Sequence, residues 1–409
     1  MKYGMEEERQ PAALVGMDAH SVSVSLCVTR WRRGWEPKVV KEITTDLRGL
    51  EAAYARHVPQ GSLTVLEAST NAFAVARRLG AIGQAVKVLA SDTVAGMSRR
   101  DRVNDRIDAR NLALAYAGGG TREVHVPDGA HSRLRELWFG YRNAVRDSVR
   151  LSNRLWGFCS MRGFELPKRS PPQKAEGIRK AAGGMAWEGG DAFHAGMMLD
   201  GYAHSLGVRE AYLKKIEGCV AADARMARLM QVLGVRCVTA FALVAFTGDV
   251  RRFASAKKLV SYVGLNPGVV SSGETERRRS VSRCGRRDLK SLMVEAAQCA
   301  LSRGKAPMHA WARRKAAAGM HRNKAVCALA RKMLTQVWHI LMGHPAPGAE
   351  PEAPFRRKLA RLAGRGGQGV LAGLGHASAA AFAESICATL RPPGAAGQGA
   401  PPSSPPSGA

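Results

Sequence analysis

The chain of 409 residues carries 62 Lys+Arg against 33 Asp+Glu, a formal net charge of +29, with 45% apolar residues; a chain this long and this apolar buries at least two cores, which excludes a disordered or fibrous protein. A positive excess far beyond what solubility needs points to a polyanionic partner, nucleic acid ahead of an anionic membrane. The longest apolar run, CVTAFALVAF from Cys237, is too short to span a bilayer, the acidic N-terminus has no secretory n-region or h-region, and eight cysteines without a C-x-x-C pair exclude a zinc ribbon and a secreted disulfide framework, so a cytoplasmic protein with reduced, mostly buried thiols is expected.

In chain order, AALVGMD is a short apolar run ending in an acid, and SVSVSLCV from Ser21 alternates as a half-buried strand does. Lying side by side in sequence, the two predict a hairpin. KVVKEI (Lys38 to Ile43) is a third strand. After a helical stretch, SLTVLEAS (Ser62 to Ser69) is a fourth, again with an acid near its C-terminal end. AFAVARRLGAIG reads as a helix leading into a strand at AVKVLAS (Ala85 to Ser91). An antiparallel hairpin followed by β-α-β suits an α/β, ribonuclease-H-like sheet over the first third of the chain.

From Ser132 to Arg154, Leu134, Leu137, Trp138, Tyr141, Val145 and Val149 recur at intervals of three and four, predicting a long helix, an arm or coiled coil. LPKRSPPQKAEG and AAGGMAWEGGD interrupt it as a linker, and helical periodicity resumes from Ala192 to Met230. LGVRCVTAFALVAF, a glycine turn feeding an apolar helix, opens a mostly α-helical segment in the manner of helix-hairpin-helix backbone binders. Between Glu274 and Met342 sixteen Lys+Arg stand against four Asp+Glu, which reads as a phosphate-contacting surface. Beyond His344, ten of the nineteen prolines with runs of Gly, Ala and Ser predict a disordered tail holding one short helix in SAAAFAESICATL. The expected divisions are 1–125, the α/β domain; 126–229, a helical arm and linker expected to carry subunit contacts; 230–344, the basic, mostly helical domain; and 345–409, the tail. Histidines 131, 194, 204, 309, 321, 339 and 344 show no zinc-ligand spacing.

The acids of DRVNDRIDAR raise a question in so basic a chain. Asp105 and Asp108, three residues apart, share one face of a helix with Cβ atoms ~5–6 Å apart. By spacing alone, the commoner fate of such a pair is surface ion pairing, here with Arg102, Arg106 or Arg110. Their company supports a second reading: Asp18 ends the first strand and Glu67 a later one, both in apolar settings. Carboxylates gathered at strand ends bind hard cations, and two Mg²⁺ ions about 4 Å apart clamp the attacking and leaving oxygens of a phosphodiester. Asp101 reads as a bystander.

The ordered series VGMD (Asp18), LEAS (Glu67) and NDRIDA (Asp105, Asp108) resembles the Asp-Glu-Asp-Asp signature of the DEDD insertion-sequence transposases, the bridge-RNA-guided recombinases with a Holliday-junction-resolvase-like (RuvC-like) N-terminal domain. FASAKKLVSYVGLNPGVVSSGETERRRSVSRCGRRDLKSLMVEAA (Phe253 to Ala297) is similar to that family's C-terminal transposase domain in its G-L-x-P turn, Ser-Gly pair, basic run and closing helix. The two resemblances cover 10–120 and 225–345. They imply a transposase that cleaves and rejoins DNA strands to move its insertion sequence. They further imply a Mg²⁺ site at Asp18, Glu67, Asp105 and Asp108 and a nucleophilic Ser272, with Ser271 the neighbouring fallback, that forms a phosphoserine link to DNA. A guide non-coding RNA pairing with target and donor is also implied, as is a homo-oligomer, dimer or tetramer, with metal site and serine from different subunits. Since a phosphodiester must have its charge neutralised, Arg277, Arg278, Arg279 and Arg283 are expected nearby, with Arg286, Arg287 and Arg236 of the Gly234 hairpin as further nucleic-acid contacts.

The chain departs from the family at Val103-Asn104, where Lys-Thr is usual, at Gly234-Val235-Arg236, where Gly-x-Gly is usual, and at Cys284, where a basic residue is common. These departures bear on DNA contacts more than on the chemistry. Two alternatives stand beside the transposase: a metal-dependent nuclease or junction resolvase that does not use Ser272, and a non-catalytic RNA- or DNA-binding protein whose acids pair with arginines.

Overall fold

The computed structural model describes residues 10–94, 105–165, 178, 183–272, 275–281, 284–303, 307–344, 352–366 and 368–389. It divides into two units, Met1–Gly129 and Ala130–Ala409.

In the first unit, β1 (Leu14–Ala19), β2 (Ser23–Arg30) and β3 (Lys38–Asp46) form an antiparallel meander, with Leu14 opposite Thr29 and Ala19 opposite Val24. After α1 (Leu50–His57), β4 (Leu63–Glu67) runs parallel to β1. After α2 (Ala72–Ala81), β5 (Ala85–Leu89) runs parallel to β4. The short α3 (Ser91–Val94), α4 (Asp105–Ala117) and a two-residue β6 (Glu123–Val124) complete a sheet ordered β3-β2-β1-β4-β5-β6. This is the mixed α/β sheet that the alternation predicts; β6 is too short to show any periodicity.

The two-residue period of β1 sorts its side chains to two cores. Val15 and Met17 pack with Leu50, Tyr54, Val75 and Leu79 on one face. Leu14 packs with Val65, Leu89, Leu112 and Ala113 on the other, beneath α4.

The second unit is almost wholly helical. Its long helices α5 (Gly129–Met161) and α6 (Asp191–Ala222) run antiparallel: a Cβ on Gly140 would lie 2.4 Å from the Tyr212 ring, and Leu155, Phe158 and Cys159 pack with Ala195, Leu199 and Tyr202. Rather than standing off as a separate arm, the first half of α5 belongs to the unit's main core. That core joins Trp138 and Tyr141 to Ile216, α7 (Ala224–Leu229), α8 (Cys237–Thr247), α9 (Ala256–Val263), α10 (Arg287–Arg303), α11 (Pro307–Ala317) and α12 (Arg322–Leu341). A hairpin of β7 (Pro267–Ser272) and β8 (Thr275–Val281) lies between α9 and α10.

The residues Thr239 to Thr247 of α8 are all buried, so its last carbonyls need partners from within the protein. Arg135 of α5 donates from Nε to the Ala245 carbonyl at 3.0 Å and from its terminal nitrogen to that of Phe246 at 3.2 Å; Arg252 donates to Thr247 O at 2.9 Å, and the Tyr262 hydroxyl to Phe246 O at 3.0 Å. Arginines at a helix C-terminus also complement its dipole.

Residues 345–409 need correction. The expected disorder gives way, over the described residues, to α13 (Glu352–Gly366), α14 (Gln368–Gly373) and α15 (Ala379–Ala388), which send Phe355, Leu359, Leu362, Phe382 and Ile386 into the main core. Phe355, Leu359 and Leu362 have helical spacing, hidden by the prolines that flank them; Pro354 sits in the first turn of α13, where proline is tolerated. The helix expected in SAAAFAESICATL is α15, capped by Ser378, whose hydroxyl accepts from the Ala381 N–H at 3.1 Å. The proline-rich linker 166–177 and the segments 345–351 and 390–409 lie outside the described residues. The thiols are less buried than expected: Cys27, Cys159 and Cys387 are buried, Cys284 and Cys299 exposed. Among the described residues no helix is long and apolar enough to cross a membrane.

Candidate active site

In the first unit the carboxylates converge because a glycine lets two backbones touch. α4 packs across β1 at Gly16, where a Cβ would lie 1.8 Å from the Ala109 carbonyl oxygen. Two residues along β1 from Gly16 stands Asp18; one turn back along α4 from Ala109 stands Asp105, and Asp108 immediately precedes Ala109. Met17 pairs with Leu66 in the parallel register of β1 and β4, so Asp18 and Glu67 are the next residues on adjoining strands.

His20, in the turn after β1, places Nε2 3.1 Å from Asp18 Oδ2 and 3.3 Å from Asp105 Oδ1. Asn71, ahead of α2, donates to the His20 carbonyl at 2.6 Å and ties that turn to the end of β4. Asp18, His20 and Asp105 each present a ligand atom within 4.8 Å of the others; among the described residues, Glu67 and Asp108 fall outside that set. Burial pushes the Asp18 carboxyl up from its usual range; His20 opposes the shift, and the Asp105 and Asp108 carboxylates add to it. Of the four acids, Asp18 and Asp105 are brought together and Asp108 is close enough to bear on their charge. Asp105 faces His20, 3.3 Å away; Arg102, Asp101 and Val103-Asn104 lie outside the described residues.

Two carboxylates and an imidazole fit a hard or borderline divalent cation such as Mg²⁺ or Mn²⁺. His20 escapes the sequence reading because it has no spacing relation to another histidine or cysteine; its one signal is that it follows a strand-end acid by two residues.

The raised Asp18 pKa carries a sign. A carboxyl held above its unfolded value binds protons more tightly in the folded state, so metal-free stability falls as pH rises from the unfolded value through the folded one. Asp18→Asn is therefore expected to raise the metal-free melting temperature while removing the rise that Mn²⁺ gives the wild type. Differential scanning fluorimetry with and without Mn²⁺ reads both, and a lowered metal-free melting temperature would contradict the strained cluster.

In the second unit, Gly264 (φ +81°) ends α9 and Gly285 (φ +102°) precedes α10. A Cβ on Gly264 would lie 2.1 Å from the Cys284 carbonyl oxygen, one on Gly285 would lie 2.5 Å from Gly264 Cα, and the Arg286 N–H donates to Tyr262 O at 2.9 Å. From this clasp β7 and β8 run outward, paired from Pro267 with Val281 to Ser272 with Thr275. Ser271 pairs with Glu276, so both serines stand at the far end of the hairpin; Gly273 and Glu274 lie outside the described residues. Arg277 pairs with Val270, Arg278 with Val269, and Arg279 follows on β8; Arg283 lies outside the described residues.

Arg286 has a packing role, its guanidinium 4.1 Å from the Phe246 ring centroid. Arg287 is exposed at the start of α10, and Arg236 is exposed at the N-cap of α8. Gly234 (φ +88°) packs against α10, a Cβ there meeting Ala296 O at 2.3 Å. This hairpin glycine thus makes a tertiary contact as well as a turn.

Residues 226–312, which hold α8, the serine hairpin and α10, match the IS116/IS110/IS902 transposase family. The chain is 25% identical over 292 residues to a Sinorhizobium fredii protein, y4qE, named as a transposase, which covers 70% of this chain and 71% of that protein. It is 26% identical over 241 residues to a Pseudomonas aeruginosa protein named as a family 20 transposase, covering 58% and 70%. It is 22% identical over 284 residues to the transposase for insertion sequence element IS1328 of Yersinia enterocolitica, covering 68% and 82%.

Proposed function

We propose that the chain, whose residues 226–312 match the IS116/IS110/IS902 transposase family and which is similar over much of its length to proteins named as transposases, is a transposase that breaks and rejoins DNA strands to move an insertion sequence, with Ser272 as nucleophile and a divalent cation held in a RuvC-like first unit. The observation that carries this reading is the meeting of Asp18, His20 and Asp105 at the end of a central strand, with Glu67 next in register and Asp108 one turn along α4. Acids drawn together against their own repulsion, in a chain of net charge +29, imply a cationic occupant. Asp18 and Asp105, which meet at His20, would hold Mg²⁺ together with the neighbouring Glu67 and Asp108, and the ion would supply charge neutralisation at the phosphodiester.

Ser272 sits at the end of a hairpin braced at its base by the Gly264–Gly285 clasp. Its hydroxyl attacks phosphorus and a DNA hydroxyl leaves, so one phosphate ester replaces another. A DNA hydroxyl reverses the step on rejoining, and no external energy is needed. Arg277, Arg278, Arg279 and Arg283 stabilise the charge that develops on the phosphate, with Arg236 and Arg287 as flanking DNA contacts. A guide non-coding RNA pairs with both DNA partners, which leaves base specificity outside the protein, and the active form is a homo-oligomer, dimer or tetramer.

The test is a trapping assay. Purified protein, its flanking non-coding RNA, labelled donor and target DNA and Mg²⁺ are run on denaturing gels beside the Ser272→Ala and Asp105→Asn variants. A covalent protein–DNA band in wild type that both variants lose is the expected result. Cleavage that persists in Ser272→Ala without a covalent band would make the protein a hydrolytic nuclease whose carboxylate cluster works alone.

A further inference from the structure

Helix α5 holds six arginines and no lysine. Four of them, Arg142, Arg146, Arg150 and Arg154, recur every fourth residue, which sets them in one slowly drifting row about 18 Å from first to last. Arg146, Arg150 and Arg154 are exposed, and Val145 and the half-exposed Val149 lie among them along a shallow groove. The row continues into a deeper groove of about 590 Å³ beside the Gly234 hairpin. Arg142 and Val145 line both, and Arg209, Arg236 and Lys358 face the single carboxylate of Glu295 in the deeper part. Acids answer the row only in part: Asp147 pairs with Arg150 at 2.6 Å and Asp288 lies 3.8 Å from Arg142, whereas Arg146 and Arg154 have no ion-pair partner among the described residues.

We infer that this row is a track for the phosphate backbone of duplex DNA, a DNA-contact surface additional to the arginines of the serine hairpin. Three observations select the occupant. A second copy seated on this face would set one arginine row against another, and unscreened like charges repel. The residues interleaved with the arginines along the row are Asn143, Val145, Val149 and Asn153, and the rings that line the deeper groove, Trp138 and Tyr141, are buried, whereas single-strand binders stack bases on exposed aromatic platforms. A run of arginines without lysine presents the planar two-pronged donors that match phosphate oxygens. The polyanion follows from this geometry; the choice of DNA over RNA rests on the proposed reaction.

The experiment measures the affinity of the full chain for a random-sequence DNA duplex by fluorescence anisotropy over a series of salt concentrations. It compares wild type with Arg146→Ala/Arg150→Ala/Arg154→Ala. Arg142 stays because it stacks on Trp138. Each lost phosphate contact removes about 0.9 from the slope of log K against log salt, so the triple variant is expected to flatten the slope by roughly two to three and to weaken binding at least about tenfold. The Lys variant at the same three positions keeps the charge and the wild-type slope, and a wild-type melting temperature shows that the alanine variant is folded. Affinity is measured without Mg²⁺ while strand cleavage is read by the trapping assay, so the track and the proposed chemistry fail separately. An unchanged slope overturns the inference, as does a loss confined to structured RNA, or a change in oligomeric mass by light scattering with DNA binding intact.

Discussion

Gly16→Val is expected to cost the first unit roughly 3–5 kcal/mol, enough to unfold a large fraction of a domain of ordinary stability. The reason is local. The Cβ of any other residue at position 16 would sit 1.8 Å from the Ala109 carbonyl oxygen, and that oxygen belongs to helix backbone that cannot swing aside. Either α4 lifts from β1, opening the core of Leu14, Val65, Leu112 and Ala113, or the unit does not close. In both cases Asp105 leaves Asp18 and the cation-dependent rise in melting temperature disappears with the fold. Gly80→Ala on α2 is the control: nothing lies within 4 Å of its Cβ, and the change is expected to be neutral or stabilising by up to ~1 kcal/mol. Circular dichroism and thermal melts of the two variants decide the matter; a Gly16→Val protein that melts like wild type would mean that α4 does not approach β1 as described.

Arg135→Met is the second large effect, in the other unit. Arg135 is buried and supplies donors to the carbonyls of Ala245 and Phe246 at the end of a buried helix. Phe246 O keeps its bond from Tyr262, whereas Ala245 O loses the donor that Arg135 supplies, and a weakened buried carbonyl together with the lost packing on Phe246 costs ~2–4 kcal/mol. Arg135→Lys is expected to recover only part of this, because one ammonium cannot reproduce a planar fork reaching two carbonyls. Urea unfolding read by circular dichroism gives both values, and a Lys variant as stable as wild type would show that charge alone matters.

Much of the first unit was legible because a strand half-buried in a sheet must alternate. SVSVSLCV could hardly be anything else, and the order of strands and helix left a mixed sheet as the natural closure. Asp18 and Asp105 were legible as acids without a reason to be there. What the sequence hid were contacts between distant backbones. Nothing in VGMD says that Gly16 faces Ala109, or in GLNP that Gly264 touches Gly285, since a glycine serving a close approach looks like a glycine serving a turn. His20 was hidden because its partners lie two and eighty-five residues away on different elements. The helices after His344 were hidden because proline and glycine set the average composition while a handful of residues such as Phe355 and Leu359 carry the packing. In DRVNDRIDAR the spacing argument favoured surface ion pairs, yet the tertiary fold directs Asp105 toward Asp18; only the crossing of α4 over β1 decides between them.

The main core of the second unit joins Trp138 to Cys387, and this has a consequence for how the protein is made. Synthesis proceeds at ~5–20 residues per second, and the first unit, which ends at Gly129, can close while the ribosome is still at work. The second cannot. Its most apolar helix, Cys237–Thr247, emerges ~140 residues before Cys387, so for roughly 7–28 seconds it lacks the cover that the last helices bring. During that interval the nascent chain shows its stickiest segment to its neighbours, and the yield of active protein is governed by how fast translation runs and by what shields that helix meanwhile.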